Sequence, residues 1–257
     1  MSRIILHADL DNTIIYSYKH DIGSKKRNVE LYEGREVSFV TERTYQLLRQ
    51  VKEGMLIVPT STRTIQQYER IHLGIGNLRY ALVCNGGILL VDGVSQKDWY
   101  EASLKLIGDS REEVQKARRL LETDSRRSFE LRYIEELFLF TKCRDAAAVV
   151  GELRDALDGA VVDVFQNGEK VYVVPKNLSK GKAVQRFREF IGGGFVIAAG
   201  DSEFDISMLE EADAAFAPWG FGEKYHARTG AVEAGEDVLL AEFALGECRR
   251  MVVEMGI

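Results

Sequence analysis

Five short apolar runs, Ile4–Ala8, Leu56–Pro59, residues 80–84, Phe195–Ala199 and Ala214–Ala217, restrict the folds open to this chain more than any other feature. Each is too short for a core helix and apolar throughout instead of alternating, the pattern of a strand covered on both faces of a parallel sheet. Parallel neighbours need crossovers, usually helical. Helical spacing is present: Val40, Thr44, Leu47, Leu48 and Val51 share one face, as do Ala183, Val184, Phe187, Phe190 and Ile191. These patterns predict an α/β fold built on a doubly wound, Rossmann-like parallel sheet.

Between residues 88 and 174 the rhythm changes. A hairpin is expected around Asp92-Gly93, then a helix opened by Ser110-Arg111-Glu112-Glu113, a capping-box sequence, with Val114, Ala117, Leu120 and Leu121 on one face. Strands at 129–134 and 137–142, a helix at 145–157, and strands at 161–166 and 170–174 follow, the last two meeting at Asn167-Gly168. Hairpin-linked strands make an antiparallel sheet. The organisation expected is therefore an α+β domain, 87–174, inserted into a discontinuous core of 1–86 and 175–257. The polar stretch 16–35 reads as a flap or hairpin beside the first strand.

The net charge of −6 offers no basic footprint for nucleic acid, so such a partner is not expected. No run approaches the roughly 20 apolar residues of a membrane span, and the N-terminal residues do not resemble a signal peptide. Cys84, Cys143 and Cys248 are odd in number, far apart and set among apolar neighbours, which predicts buried thiols in a reducing, cytoplasmic setting. Oligomeric state is not legible.

Chemistry is concentrated where strands end. His7-Ala8-Asp9-Leu10-Asp11-Asn12-Thr13 leaves the first strand, at the end where open α/β sheets bind ligands. Alone, it could be a polar turn. An EF-hand loop fits poorly, because Ile14 stands where its glycine would be. Thr60-Ser61-Thr62-Arg63 follows the second strand, a hydroxyl-rich turn suited to phosphate oxygens but also to helix capping. Ser179-Lys180-Gly181-Lys182 opens a helix and sets an ammonium at its positive end, where anions are favoured. Gly200-Asp201-Ser202-Glu203-Phe204-Asp205 again puts carboxylates after a strand. His7 could approach the site, although a packed core histidine is the plainer reading.

In this order the four segments resemble the four motifs of the haloacid dehalogenase (HAD) superfamily, over residues 4–218. The insert, entered through Cys84-Asn85-Gly86-Gly87, is similar to the C2-capped branch of Cof-type and sucrose-phosphatase-like enzymes. The resemblance implies a phosphatase in which Asp9 is the nucleophile and Asp11 the general acid and base. Ser61 and Lys180 would hold phosphoryl oxygens. Leu10, Thr62, Arg63, Asn85 and Gly86 would line the substrate, and Asp9, Asp11, Asp201 and Asp205 would form the metal site, Asp11 through its main-chain carbonyl. Three departures stand out: Asn12 replaces a common glycine, Phe204 a usual asparagine, and Thr62 the glycine of Thr-Gly-Arg. The last leaves Thr60 and Ser61 both open as the phosphate hydroxyl, with alignment to Arg63 favouring Ser61.

Clustered carboxylates with one lysine need a hard cation, and an all-oxygen donor set suits Mg²⁺ better than zinc. A small phosphorylated metabolite, a sugar phosphate foremost, is the expected substrate. A phosphosugar mutase or a catalytically idle binding protein on the same fold are the alternatives. Asp11 argues against a P-type ATPase. Arg132, Glu135, Glu169 and Lys170 are candidate specificity residues of the insert.

Overall fold

The computed structural model describes residues 3–254. The chain forms two compact units, one running to Ser95 and resuming at Lys180, the other spanning Gln96–Ser179. The hairpin after residue 87 therefore lies with the first unit.

The first unit begins with β1 (Ile4–Ala8), buried at every residue. The segment 16–35 becomes part of a three-stranded antiparallel sheet of β2 (Tyr16–Ser17), β3 (Lys26–Tyr32) and β4 (Arg35–Thr41), in the order β2-β4-β3. Val40 lies in β4 and not in the helix its spacing suggested, because the Thr41 side chain accepts the Thr44 N–H and starts α1 (Glu42–Gly54) there. Thr44, Leu47, Leu48 and Val51 form the buried face of α1. Next come β5 (Leu56–Pro59), α2 (Ile65–Glu69), β6 (Tyr80–Val83), β7 (Ile88–Val91) and β8 (Val94–Ser95).

The expectation of a parallel strand at 80–84 is corrected here. β6 runs antiparallel to β7, and its parallel link to the main sheet is a single bridge between Thr60 and Leu82. Cys84 and Asn85 adopt φ of 52° and 58° and turn the chain back before a crossover can form. A continuous apolar run looks the same in either arrangement. Across Asp92-Gly93, Val91 pairs with Val94, and both turn residues have the positive φ of a type I′ hairpin.

The second unit opens with α3 (Lys97–Leu106), which the sequence reading lacked, followed by α4 (Arg111–Thr123). No capping box forms on α4. The Ser110 hydroxyl donates to the Val161 carbonyl at 2.8 Å instead. Leu120 is 43% exposed and is not part of the buried face, which is Val114, Ala117 and Leu121. Then come β9 (Arg132–Ile134), β10 (Phe138–Lys142), α5 (Ala146–Ala156) capped by Asp145, β11 (Val162–Asn167) and β12 (Lys170–Pro175). The sheet is antiparallel in the order β11-β12-β10-β9. Asn167 pairs with Lys170, so the turn is Gly168-Glu169 and not Asn167-Gly168. Val149, Val150 and Leu153 of α5 join the α4 face over Leu139, Val164, Val171 and Val173 to form this unit's core.

The first unit resumes with α6 (Lys180–Phe190), β13 (Phe195–Ala199), α7 (Ile206–Glu210), β14 (Ala214–Ala217), α8 (Phe221–Tyr225), β15 (Val232–Glu233) and α9 (Leu240–Glu254). Phe190 caps no core, being 52% exposed. The main sheet has the order β15-β14-β13-β1-β5, every pair parallel. β1 is central, and Ala8 stands level with Ala199 on one side and Pro59 on the other. Residues immediately after these three strands therefore emerge side by side. The three cysteines are buried, and none forms a disulfide among the described residues. No helix among the described residues is long and apolar enough to cross a membrane.

Candidate active site

Asp9 extends β1 by one more ladder bond, donating its N–H to the Ala199 carbonyl at 3.0 Å, and is 7% exposed. The loop behind it is tight. The Leu10 carbonyl accepts N–H groups from Thr13, Ile14 and Ile15, and the Leu10 side chain is in the core. Asn12 has φ of 57°. This is the left-handed region where asparagine is one of the few tolerated residues other than glycine.

Lys180, the first residue of α6, is 1% exposed, with Nζ 2.8 Å from Asp9 Oδ1 and 2.5 Å from Asp205 Oδ1. Its approach depends on Gly181, where a Cβ would stand 2.3 Å from the Ser207 carbonyl oxygen. Asp205 is fully buried, and its Oδ2 accepts from the Asp201 N–H, the Ser202 N–H and the Ser202 hydroxyl at 2.8–3.1 Å. Both oxygens of Asp205 are thus engaged, Oδ1 by Lys180 and Oδ2 by the loop after β13. Gly200 is required in that loop, since a Cβ there would lie 2.3 Å from Asp205 Cβ. Thr13 Oγ1 donates to Asp201 Oδ1 at 3.2 Å.

Asp9, Asp201 and Asp205 can each offer an oxygen within 4.8 Å of the others. Three carboxylates surround one ammonium; burial first, and then Asp205 and Asp11 against the opposing Lys180, push Asp9 up to about 7. Burial, Asp205 and Asp9 also raise Asp201 well above the carboxylate range. Burial alone would lower Lys180, but Asp205 and Asp9 outweigh it and raise it. A cluster of this charge, all oxygen and short of one cation, fits a hard divalent ion.

At the end of β5 the two hydroxyls separate. Thr60 Oγ1 donates to the Val58 carbonyl at 3.1 Å and accepts from His7 Nδ1 at 2.9 Å, in complete burial. His7 is itself buried edge-on to Phe187, and burial lowers it to about 3, so it is a neutral packing residue. Ser61 Oγ accepts the Arg63 N–H at 3.2 Å, which leaves its own O–H to donate. Thr62 is half-buried on the same turn. Cys84 and Asn85 brace this turn from behind: Asn85 donates its N–H to the Ser61 carbonyl at 2.9 Å and Cys84 to that of Arg63 at 2.8 Å, while Gly86 donates to the Val83 carbonyl at 3.0 Å.

Arg63 does not point at an open site. Its Nε and Nη2 grip Asp11 at 2.8 and 2.7 Å, while Nη1 and Nη2 reach Glu30 at 2.9 and 3.0 Å and Nη1 also reaches the Gln67 carbonyl at 3.2 Å. Burial opposes its charge, but Asp11 and Glu30 raise it further above its usual range. Glu30 and Arg70 were absent from the sequence reading, and Thr13 stood in its first segment without a role. Glu30 lies in a polar stretch with no motif, and only its partners in space mark it.

A profile of the haloacid dehalogenase-like hydrolases matches residues 89–217, half of the chain. The chain belongs to this family of hydrolases. The fold is shared with solved structures across nearly their whole length. The sucrose phosphatase of Synechocystis, determined with sucrose and phosphate, has TM-score 0.65 at 15% identity, covering 98% of this chain and 99% of that one. A putative HAD/COF-like hydrolase of Plasmodium vivax has TM-score 0.62 at 14%, covering 99% and 97%. A trehalose-6-phosphate phosphatase related protein has 0.56 at 13%, covering 98% and 99%. No curated protein sequence matches the chain.

Proposed function

We propose that this hydrolase is a Mg²⁺-dependent phosphomonoesterase acting through an aspartyl-phosphate on Asp9, with a small phosphorylated sugar as substrate. The observation that carries the reading is Asp9 at the carboxyl end of the central strand, 2.8 Å from the buried Lys180 ammonium and clustered with Asp201. The Asp9 carboxylate attacks phosphorus in line, forming one P–O bond as the bond to the leaving oxygen breaks. Lys180 and the Ser61 hydroxyl hold phosphoryl oxygens through the step. Asp11 gives a proton to the departing alkoxide, then takes one from the water that hydrolyses the acyl phosphate. Asp9, Asp201 and the main-chain carbonyl of Asp11 would hold Mg²⁺, which when bound neutralises phosphate charge. Asp205, with both oxygens occupied, positions Lys180 and the Asp201 loop instead of ligating.

In this reading the unit Gln96–Ser179 is the cap that selects the leaving group. The sugar-phosphate assignment rests on analogy of fold with the phosphatases above and not on a residue. The test is hydrolysis of an aryl phosphate and of a panel of phosphorylated sugars with and without excess EDTA. Activity should vanish on chelation and return with Mg²⁺, and Asp9→Asn should fold yet lose turnover by several orders of magnitude. Undiminished turnover in EDTA or in the Asp9 variant overturns the assignment.

A further inference from the structure

We propose that Glu30 is a positioning residue for the acid–base carboxylate, acting through Arg63. The inference rests on the reading of Asp11 given above. Asp11 is half exposed, its side chain at 51%, and an ion pair that open to water fixes a carboxylate only weakly. What makes Arg63 a fixed point is its other edge. The arginine side chain is 12% exposed, and the edge turned from Asp11 is held by Glu30, itself 3% exposed, and by the Gln67 carbonyl. All five guanidinium N–H groups are thereby spent, two on Asp11 and three on these buried acceptors. Order passes from the buried glutamate to the arginine and then to the exposed aspartate.

Glu30 is in turn over-determined. Ser38 donates to its Oε2 at 2.6 Å and Arg70 Nε to its Oε1 at 3.1 Å. The strand around it is irregular: the pairing of β3 with β4 shifts register on both sides of Glu30, and Val29 and Glu30 are both buried in sequence. A bulge of this kind re-aims a side chain, here toward the loops after β1 and β5. Asn28 secures the distortion by donating to the Glu30 and Ser38 carbonyls at 2.9 and 3.1 Å, and Glu30 bridges Ile71 on its other side. A buried acid with four side-chain donors, on an element that carries none of the four motifs, is a construction aimed at Arg63.

If Glu30 positions Asp11, its variants should reproduce the kinetic signature of a failing acid and base without losing substrate binding. The experiment is rapid-quench hydrolysis of 4-nitrophenyl phosphate by Glu30→Ala and Glu30→Gln with Mg²⁺, beside the wild type and Asp9→Asn, with folding checked by thermal melting. An aryl leaving group needs little protonation, so nitrophenol release in the first turnover should persist. Decay of the phosphoenzyme still needs Asp11. The ratio of first-turnover rate to steady-state rate should therefore rise at least tenfold in Glu30→Ala and less in the isosteric Glu30→Gln, with kcat/KM, which reports binding and the first step, within about twofold, a misplaced group typically costing on the order of 10²-fold. Structural damage alone lowers burst amplitude and steady-state rate together, and that outcome, or an unchanged ratio in the folded glutamine variant, overturns the inference. Wild-type turnover in Asp9→Asn would instead defeat the underlying nucleophile assignment.

Discussion

Lys180→Met tests whether one ammonium holds the carboxylate cluster together. Methionine keeps the reach of the side chain and removes its charge. Nζ lies 2.8 Å from Asp9 and 2.5 Å from Asp205, and at an effective dielectric of 20 each contact contributes about 6 kcal/mol of gross attraction. Desolvation of the three groups cancels much of this, and removing one partner of a buried pair costs about 3–5 kcal/mol net. A loss of that size is expected in metal-free buffer at alkaline pH. It should also depend on pH. Asp9 stands at about 7 under burial and repulsion, with Lys180 as the main force holding it down, so the variant raises it further. A carboxyl with a folded pKa above its unfolded value opposes folding as pH climbs toward the folded value. Below about pH 6 Asp9 is protonated in both proteins, so the variant's added penalty is confined to higher pH. Urea unfolding in EDTA at pH 5.5 and 8.5 should give a midpoint drop at both, larger at 8.5, with an unchanged slope. A loss below about 1 kcal/mol, the range of an exposed pair, or one equal at the two pH values, would refute the argument.

Two further outcomes follow from the same geometry. Asp11→Asn should slow aryl phosphate turnover by about 10²–10⁴ and let phosphate accumulate on Asp9, seen as added mass after rapid quench, with Mg²⁺ affinity retained. Loss of Mg²⁺ affinity in step with rate would count against an acid–base role. Gly200→Ala places a methyl 2.3 Å from Asp205 Cβ and should cost about 1–3 kcal/mol by overpacking, with turnover falling further as Asp205 releases Lys180 and Asp201. Denaturation and kcat measured together check this, and a silent variant would show that the loop yields.

The main sheet was legible because its strands are buried on both faces and therefore apolar without interruption, and four of the five expected parallel strands lie at the expected residues. The four chemical segments were legible because each sits at the end of such a strand or the start of a helix, where backbone direction converts a sequence position into a place in space. Local patterns failed where a distant partner outbid them. Ser110 gives its hydroxyl to Val161 instead of its own helix, and residues 80–83 turn back at Cys84 and Asn85. The choice between Thr60 and Ser61 was open in the chain, and packing is what supports proposing Ser61: His7 and the Val58 carbonyl occupy the Thr60 hydroxyl, whereas the Ser61 oxygen accepts the Arg63 N–H. Glu30 was beyond any local signal. Its significance lies in Arg63, 33 residues away, and in a bulge of the β3–β4 pairing, and both exist only once the chain is folded. Burial and periodicity are written along the sequence, whereas the partner of a buried charge is set by which loops the sheet brings together.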